Sequence, residues 1–194
     1  MLDSYAQHLV RPLVNVAVRR LASLGVAPNQ VTIASAAMGV ASAVAFYAGL
    51  HWSAVLLIVA AGVGDLLDGA LARETGRTTP LGGLLDLWLD RLVEVSVLVA
   101  YALVFPDVRL AIVVLACTII LSLTVFLTMG ALTDNDGHKV IPYQPGIAER
   151  AETIIFFALF FAFPALRHEW VYLFAALIAL TVVQRLYLAW KTLR

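Results

Sequence analysis

A single cysteine, Cys117, occurs among the 194 residues, so the chain can form no internal disulfide and offers no cysteine cluster for zinc. Its neighbours Leu115, Ala116, Thr118 and Ile119 are mostly apolar, and a lone thiol in such a run is expected to be a small buried hydrophobe rather than a redox group. Charge is also scarce. Only 13% of residues are Asp, Glu, Lys or Arg, and 13 basic residues against 13 acidic ones leave none of the basic excess that nucleic-acid binding needs. The N-terminus lacks a short basic region running directly into an apolar core and a cleavage site. We therefore expect no removed signal peptide, and insertion through the first true span. Internal repeats and low-complexity stretches are absent, which excludes solenoids and arrays.

What is abundant is apolar surface. With 62% hydrophobic residues and a mean hydropathy of +0.92, the chain reads as one integral membrane domain. Apolar segments long enough to cross a bilayer, about 20 residues each, recur from Val31 onward. They predict six spans, over 31–50, 53–74, 82–105, 109–131, 150–166 and 169–190. Breaks fall at Gly49–Trp52, Thr75–Leu81, Pro106–Asp107, the polar stretch 132–149, and Pro164–Glu169. The expected fold class is all-α: a polytopic six-helix catalytic domain over 31–194, preceded by an interfacial helix over 1–30.

Lys and Arg beside short loops are retained on the cytoplasmic side. In a six-span arrangement Arg11, Arg19, Arg20, Arg73, Arg77, Lys139, Arg150, Lys191 and Arg194 all fall on one side, against Arg109 and Arg167 on the other. Both termini and the loops 75–81 and 132–149 are thereby expected in the cytoplasm. In the first thirty residues Ser4, His8, Arg11, Asn15 and Arg19 alternate at helical spacing with Leu9, Leu13, Val16, Leu21 and Leu24. That pattern suits an amphipathic helix in the headgroup region, and it equally suits a cap packed on the bundle.

Four aspartates break the apolar pattern. Asp65 and Asp68 lie in the second span, Asp86 and Asp90 in the third, and a carboxylate within a bilayer costs several kcal/mol unless it faces a polar cavity and a partner. At 3.6 residues per turn, Asp65, Asp68, Gly69, Ala72 and Arg73 share one arc of roughly 140°. Gly82, Asp86 and Asp90 stack at intervals of four on the next helix. Two such faces can converge carboxylate oxygens on two hard cations about 3.5–4 Å apart, Mg²⁺ or Mn²⁺ fitting best. Without cations the four acids would repel one another. With them, Arg73 and a floor kept low by Gly69 and Ala72 suit a bound diphosphate.

The string Asp65-Leu-Leu-Asp68-Gly69-Ala-Leu-Ala72-Arg73, followed after eight residues by Gly82, Asp86 and Asp90 at fixed spacing, resembles the signature of the CDP-alcohol phosphatidyltransferases at every defining position. Pro28-Asn29-Gln30-Val31-Thr32 is similar to the stretch ahead of that family's first span. The resemblance implies a membrane enzyme that moves a phosphatidyl group from a CDP-linked lipid, CDP-diacylglycerol above all, to a small alcohol and releases CMP. It implies that Asp65, Asp68, Asp86 and Asp90 bind two metal ions, and that Asp90 also takes the proton of the acceptor hydroxyl. Pro28, Asn29, Gln30, Val31, Thr32, Gly69, Ala72, Arg73, Thr79 and Gly82 would hold the CDP portion. A homodimer in a bacterial cytoplasmic membrane, with its active site facing the cytoplasm, is implied as well.

Lys139 and Arg150 are the expected grips for a negatively charged acceptor, with positive-inside anchoring as the alternative. Phosphorylated alcohols such as glycerol 3-phosphate or inositol phosphate rank ahead of serine on that account. A purely structural ion-pair network with Arg73 and Arg91 is the alternative for the four aspartates, and an ion-coupled transporter or a non-catalytic CDP-lipid binder for the whole chain. Glu94 extends the acidic stripe by one turn or pairs with Arg91 three residues away. Asp134-Asn-Asp136-Gly137 reads as a turn, and His138 and Tyr143 as ordinary loop residues. His8, His51 and His168 show no partner spacing, and Trp52, Trp88, Trp170 and Trp190 read mainly as interfacial anchors.

Overall fold

The structure, a computed structural model, describes residues 2–133 and 150–193. Among them there is no strand. Seven α-helices follow in order: α1 (Leu2–Ser23), α2 (Pro28–Tyr47), α3 (His51–Glu74), α4 (Pro80–Val104), α5 (Arg109–Thr133), α6 (Arg150–Ala162) and α7 (Arg167–Thr192). Short 3₁₀ turns at Pro106–Val108 and Pro164–Leu166 lead into α5 and α7. The breaks anticipated at Gly49–Trp52, Thr75–Leu81, Pro106–Asp107 and Pro164–Glu169 all fall at junctions of successive helices, the last residues of three of them lying in the first turn of the next helix. Lys139, His138, Tyr143 and the stretch 134–137 expected to turn lie outside the described residues.

Among the described residues, four segments are long and apolar enough to cross a membrane: Pro28–Tyr47, His51–Glu74, Pro106–Leu132 and Pro164–Thr192. α4 has the length, at 25 residues, and is as apolar as the others on average, but Asp86, Asp90, Arg91 and Glu94 give it more charge than an ordinary span carries. The outward faces are studded with apolar side chains, among them Leu56, Leu110, Val113, Ile120 and Val183. A water-soluble chain would bury these, so the surface is one made for lipid. Cys117 belongs to that surface: it is exposed, not buried as its neighbours suggested. An apolar run tells a membrane protein's core from its lipid face no better than a coin, because both are apolar.

Helix ends follow local chemistry. Gly76 closes α3 with φ +64°, and Arg77 N–H reaches back to the Ala72 carbonyl, a left-handed cap that glycine adopts without steric cost. Gly49, φ +81°, closes α2 in the same way. Pro80 then opens α4 in its first turn, and the Thr79 hydroxyl caps it by accepting from Gly82 N–H at 3.0 Å.

α2 is the spine. It packs along both α3 and α4, whereas α3 and α4 have no comparable contact with one another; α6 lies on α3, and α5 pairs with α7. The buried face of α2 is small: Thr32, Ser35, Ala36, Gly39, Ser42 and Ala43 recur at helical spacing down to Phe46. Close approach depends on it. A Cβ on Gly39 would lie 2.6 and 2.7 Å from the two methyl groups of Val93, and one on Gly64 would strike the Ser35 hydroxyl. At the far end, Phe46 stacks on Tyr101 and Phe161, with Phe105 and Phe160 against Tyr101. Asp107 in the first 3₁₀ turn receives Arg167 at 2.7 Å and meets His168 at 2.9 Å, tying the α4–α5 turn to the start of α7. His168 thus has a partner that its spacing in the chain did not reveal, because that partner comes from a different turn.

Candidate active site

α2 packs along both α3 and α4, and beside the acidic motif a cavity opens that Asp68 of α3 and Asp86 of α4 line, with Asp65 and Asp90 outside its lining. One carboxylate oxygen each from Asp65, Asp68 and Asp86 lies within 4.8 Å of the other two. Asp68 is only 6% exposed, and its Oδ2 is buried with no hydrogen-bond donor. A buried, donorless carboxylate oxygen beside two further carboxylates is costly unless a cation completes it. The donor set is oxygen throughout, with no sulfur or imidazole, and so suits a hard divalent ion.

Asp90 is held differently. Arg150, the first residue of α6, reaches across to it with Nη2, and grips Asp65 as a fork, Nε to Oδ2 and Nη2 to Oδ1, each at 3.2 Å. The arginine paired to the aspartates is therefore Arg150, not Arg73 or Arg91. Arg91 instead pairs within its own helix with the buried Glu94, at 2.6 Å, one of the two readings open for Glu94.

A cavity of about 220 Å³ opens beside the carboxylates. Asp68 and Asp86 form one wall with Gly69, Ala72 and Arg73 of α3; Pro28, Asn29 and Thr32 of α2 face them, and Thr79 and Gly82 complete the rim. Thr32, whose hydroxyl hydrogen-bonds the Pro28 carbonyl at 3.2 Å, sits beside Asp68. Gly82 is small for a visible reason: a Cβ there would come 3.2 Å from both Asn29 Oδ1 and Thr79 Oγ1. Eight of the ten residues expected at the nucleotide are in this lining. Gln30 and Val31 are not. Gln30 Oε1 instead accepts the Ala27 N–H at 2.9 Å and so caps α2, and the Val31 carbonyl accepts from Ser35. Arg77, Thr78 and Gly83 also line the cavity, and sequence reasoning did not place them there. The cap at Gly76, which turns the chain straight back over α3, was the available signal for Arg77.

A cavity lined by Asp68 and Asp86 together with Arg73 and Arg77 can hold cations and anions together, as a metal-bound diphosphate requires. Comparison with known proteins decides the class. The family model for CDP-alcohol phosphatidyltransferases matches residues 25–190. The chain belongs to that family. Among curated relatives it is 36% identical to an archaetidylinositol phosphate synthase of Pyrococcus horikoshii, over all of this chain and 98% of the relative. It is 33% identical to the inner membrane protein YnjF of Escherichia coli, over the same shares of each. Among solved structures it resembles phosphatidylinositol phosphate synthase of Mycobacterium tuberculosis with CDP-DAG bound, with a TM-score of 0.71 and 26% identity over 93% of this chain and 94% of that one. The same protein in complex with manganese and citrate gives a TM-score of 0.70 at 25% identity, over 92% and 89%.

The enzyme is thus an integral membrane CDP-alcohol phosphatidyltransferase, which transfers a phosphatidyl group from a CDP-linked lipid to an alcohol. The transporter and the non-catalytic binder fall away. A manganese-bound relative and the aspartate cluster agree on use of a divalent metal.

Proposed function

We propose that this phosphatidyltransferase uses CDP-diacylglycerol as donor and a phosphorylated alcohol, inositol phosphate ahead of glycerol 3-phosphate, as acceptor. The observation that carries the reading is the convergence of Asp65, Asp68 and Asp86 beside a cavity that Asp68, Asp86, Arg73 and Arg77 line. Asp65, Asp68, Asp86 and Asp90 would hold two Mg²⁺ or Mn²⁺ ions. Bound there, the cations would neutralise the diphosphate and the charge developing on departing CMP. The protein's own groups do the remainder. Pro28, Asn29, Thr32, Gly69, Ala72, Thr79 and Gly82 shape the wall against which the cytidine end rests, and Arg73 and Arg77 add fixed positive charge for its phosphates. Asp90 accepts the acceptor's hydroxyl proton, since an alcohol is too weak an acid to attack unaided. Arg150, in contact with Asp90, stands where an acceptor phosphate would bring its charge beside that hydroxyl. Relatives named for phosphatidylinositol phosphate and archaetidylinositol phosphate support an acceptor of this class.

In this reading α2–α7 are six spans, with α4 crossing despite its charges because they face the cavity, and α1 lies at the interface with its axis along the surface. Residues 1–30 form that interfacial part and 31–194 the catalytic domain. The site opens to the cytoplasm of a bacterial inner membrane, supported by the basic residues flanking 75–81, and two copies form a homodimer, which rests on family membership alone.

The test is to offer purified protein CDP-diacylglycerol with inositol phosphate, glycerol 3-phosphate or serine, and to identify lipid products by mass spectrometry while measuring CMP. Product should form with inositol phosphate, chelation should abolish it, and Asp68→Asn should lower turnover by at least about a hundredfold, the scale seen when a key electrostatic group is lost. Turnover with serine alone would overturn the acceptor, and an Asp68→Asn variant near wild-type rate would overturn the metal assignment.

A further inference from the structure

Arg150 occupies both oxygens of Asp65 and contacts Asp90, while Asp68 and Asp86 have no ion pair with it among the described residues. The aspartates are therefore not equivalent. Asp68 Oδ2 is donorless, and Asp65, Asp68 and Asp86 already converge, so one cation can enter that triad against little competition; each Asp65 oxygen keeps a second lone pair for it. Between Asp65 and Asp90 the positive charge present is the Arg150 guanidinium.

We propose that Arg150 is a built-in countercharge that must withdraw from Asp65 and Asp90 before a second metal ion binds, so that cation loading proceeds in two unequal steps. The inference rests on the two-ion reading above and adds a consequence to it. A charge-assisted fork on Asp65 and a contact to Asp90 must be given up in the second step and not in the first. The guanidinium so released stays on the first turn of α6, beside Asp90, and becomes available to an anionic acceptor only once the site is fully loaded. Loading of metal would thereby precede capture of the acceptor, which keeps an acceptor phosphate from occupying a metal-free site.

The probe is Mn²⁺ alone, titrated into the full-length protein in detergent without substrate and followed by electron paramagnetic resonance. Free ion reports occupancy, and spin coupling reports a pair. Wild-type protein should show one tight and one weaker step. Arg150→Ala should tighten the weaker step by about tenfold or more, the scale of one lost charge-assisted contact, and leave the tight step within about twofold. Arg150→Lys, which keeps the charge but gives up the fork on Asp65, should tighten it by a smaller factor and carries the test if the alanine variant does not fold. A weaker step unchanged or weakened in these variants, or a single bound ion in all of them, overturns the inference. If Asp68→Asn loses the tight step while the Arg150 variants match wild type, the inference alone has failed; if wild-type protein binds no Mn²⁺, the metal reading has failed with it.

Discussion

Single atoms set much of what this site can accept. Gly82 is held between Asn29 Oδ1 and Thr79 Oγ1, and those two side chains reach it from different directions, one from the start of α2 and one from the cap of α4. A methyl group there must push one of them by a few tenths of an ångström. Because both line the cavity expected to take the cytidine end, Gly82→Ala should raise the KM for CDP-diacylglycerol about fivefold while leaving kcat within about twofold, the pattern of lost uniform binding. Steady-state kinetics at saturating acceptor would check it, and an unchanged KM would remove Gly82 from the nucleotide wall. Asp68 is the complementary case, where the decisive feature is an atom without a partner: its Oδ2 is buried and undonated, and only a cation makes that arrangement inexpensive.

Between helices the controlling quantity is how closely α2 approaches α3 and α4. The small face of α2 admits Val93 of α4 against Gly39, and Val93 is β-branched, with little rotamer freedom in a helix to move aside. Gly39→Ala should destabilise the protein by about 1–3 kcal/mol, the usual cost of overpacking a tight core. The melting temperature in detergent should fall accordingly, and the double variant Gly39→Ala with Val93→Ala should recover a substantial part of it. Additive losses in the double variant would show that the two residues do not limit the approach. The same element carries the site: because α2 packs on both α3 and α4, a shift of α2 changes the distance between the two acidic faces.

Over the whole molecule, the acidic motif and its arginines lie at one end and the aromatic packing at the other. Asp65, Asp68, Asp86, Asp90, Arg73, Arg77 and Arg150 gather where α3 ends and where α4 and α6 begin, while Phe46, Tyr101, Phe105 and Phe161 fill the opposite end near the Asp107, Arg167 and His168 cluster. In the proposed topology the basic flanks put the acidic end in the cytoplasm. In a Cys117→Ala background, a membrane-impermeant maleimide added to intact cells should label Ala165→Cys, in the turn before α7, and leave Thr192→Cys, at the end of α7, unlabelled until the cells are opened. The reverse pattern would place the site on the other face of the membrane.

The one-dimensional chain already determined which residues share a face. Helical periodicity put Asp65, Asp68, Gly69, Ala72 and Arg73 on one arc and Gly82, Asp86 and Asp90 on another, and Gly and Pro marked every break between described helices, because these are properties of about four neighbouring residues at a time. The eight-position motif was legible for the same reason. Only the tertiary structure decided which face meets which. It drew Gln30 away from the cavity to cap its own helix, brought Arg77 into the cavity, turned Cys117 outward, and gave His168 its partner in Asp107. It also assigned Arg150 to Asp65 and Asp90, across 85 residues of chain from the former. Such pairings depend on how far α2 lets its neighbours approach and how each helix is rotated about its axis, and the spacing of residues along any single helix carries no record of either.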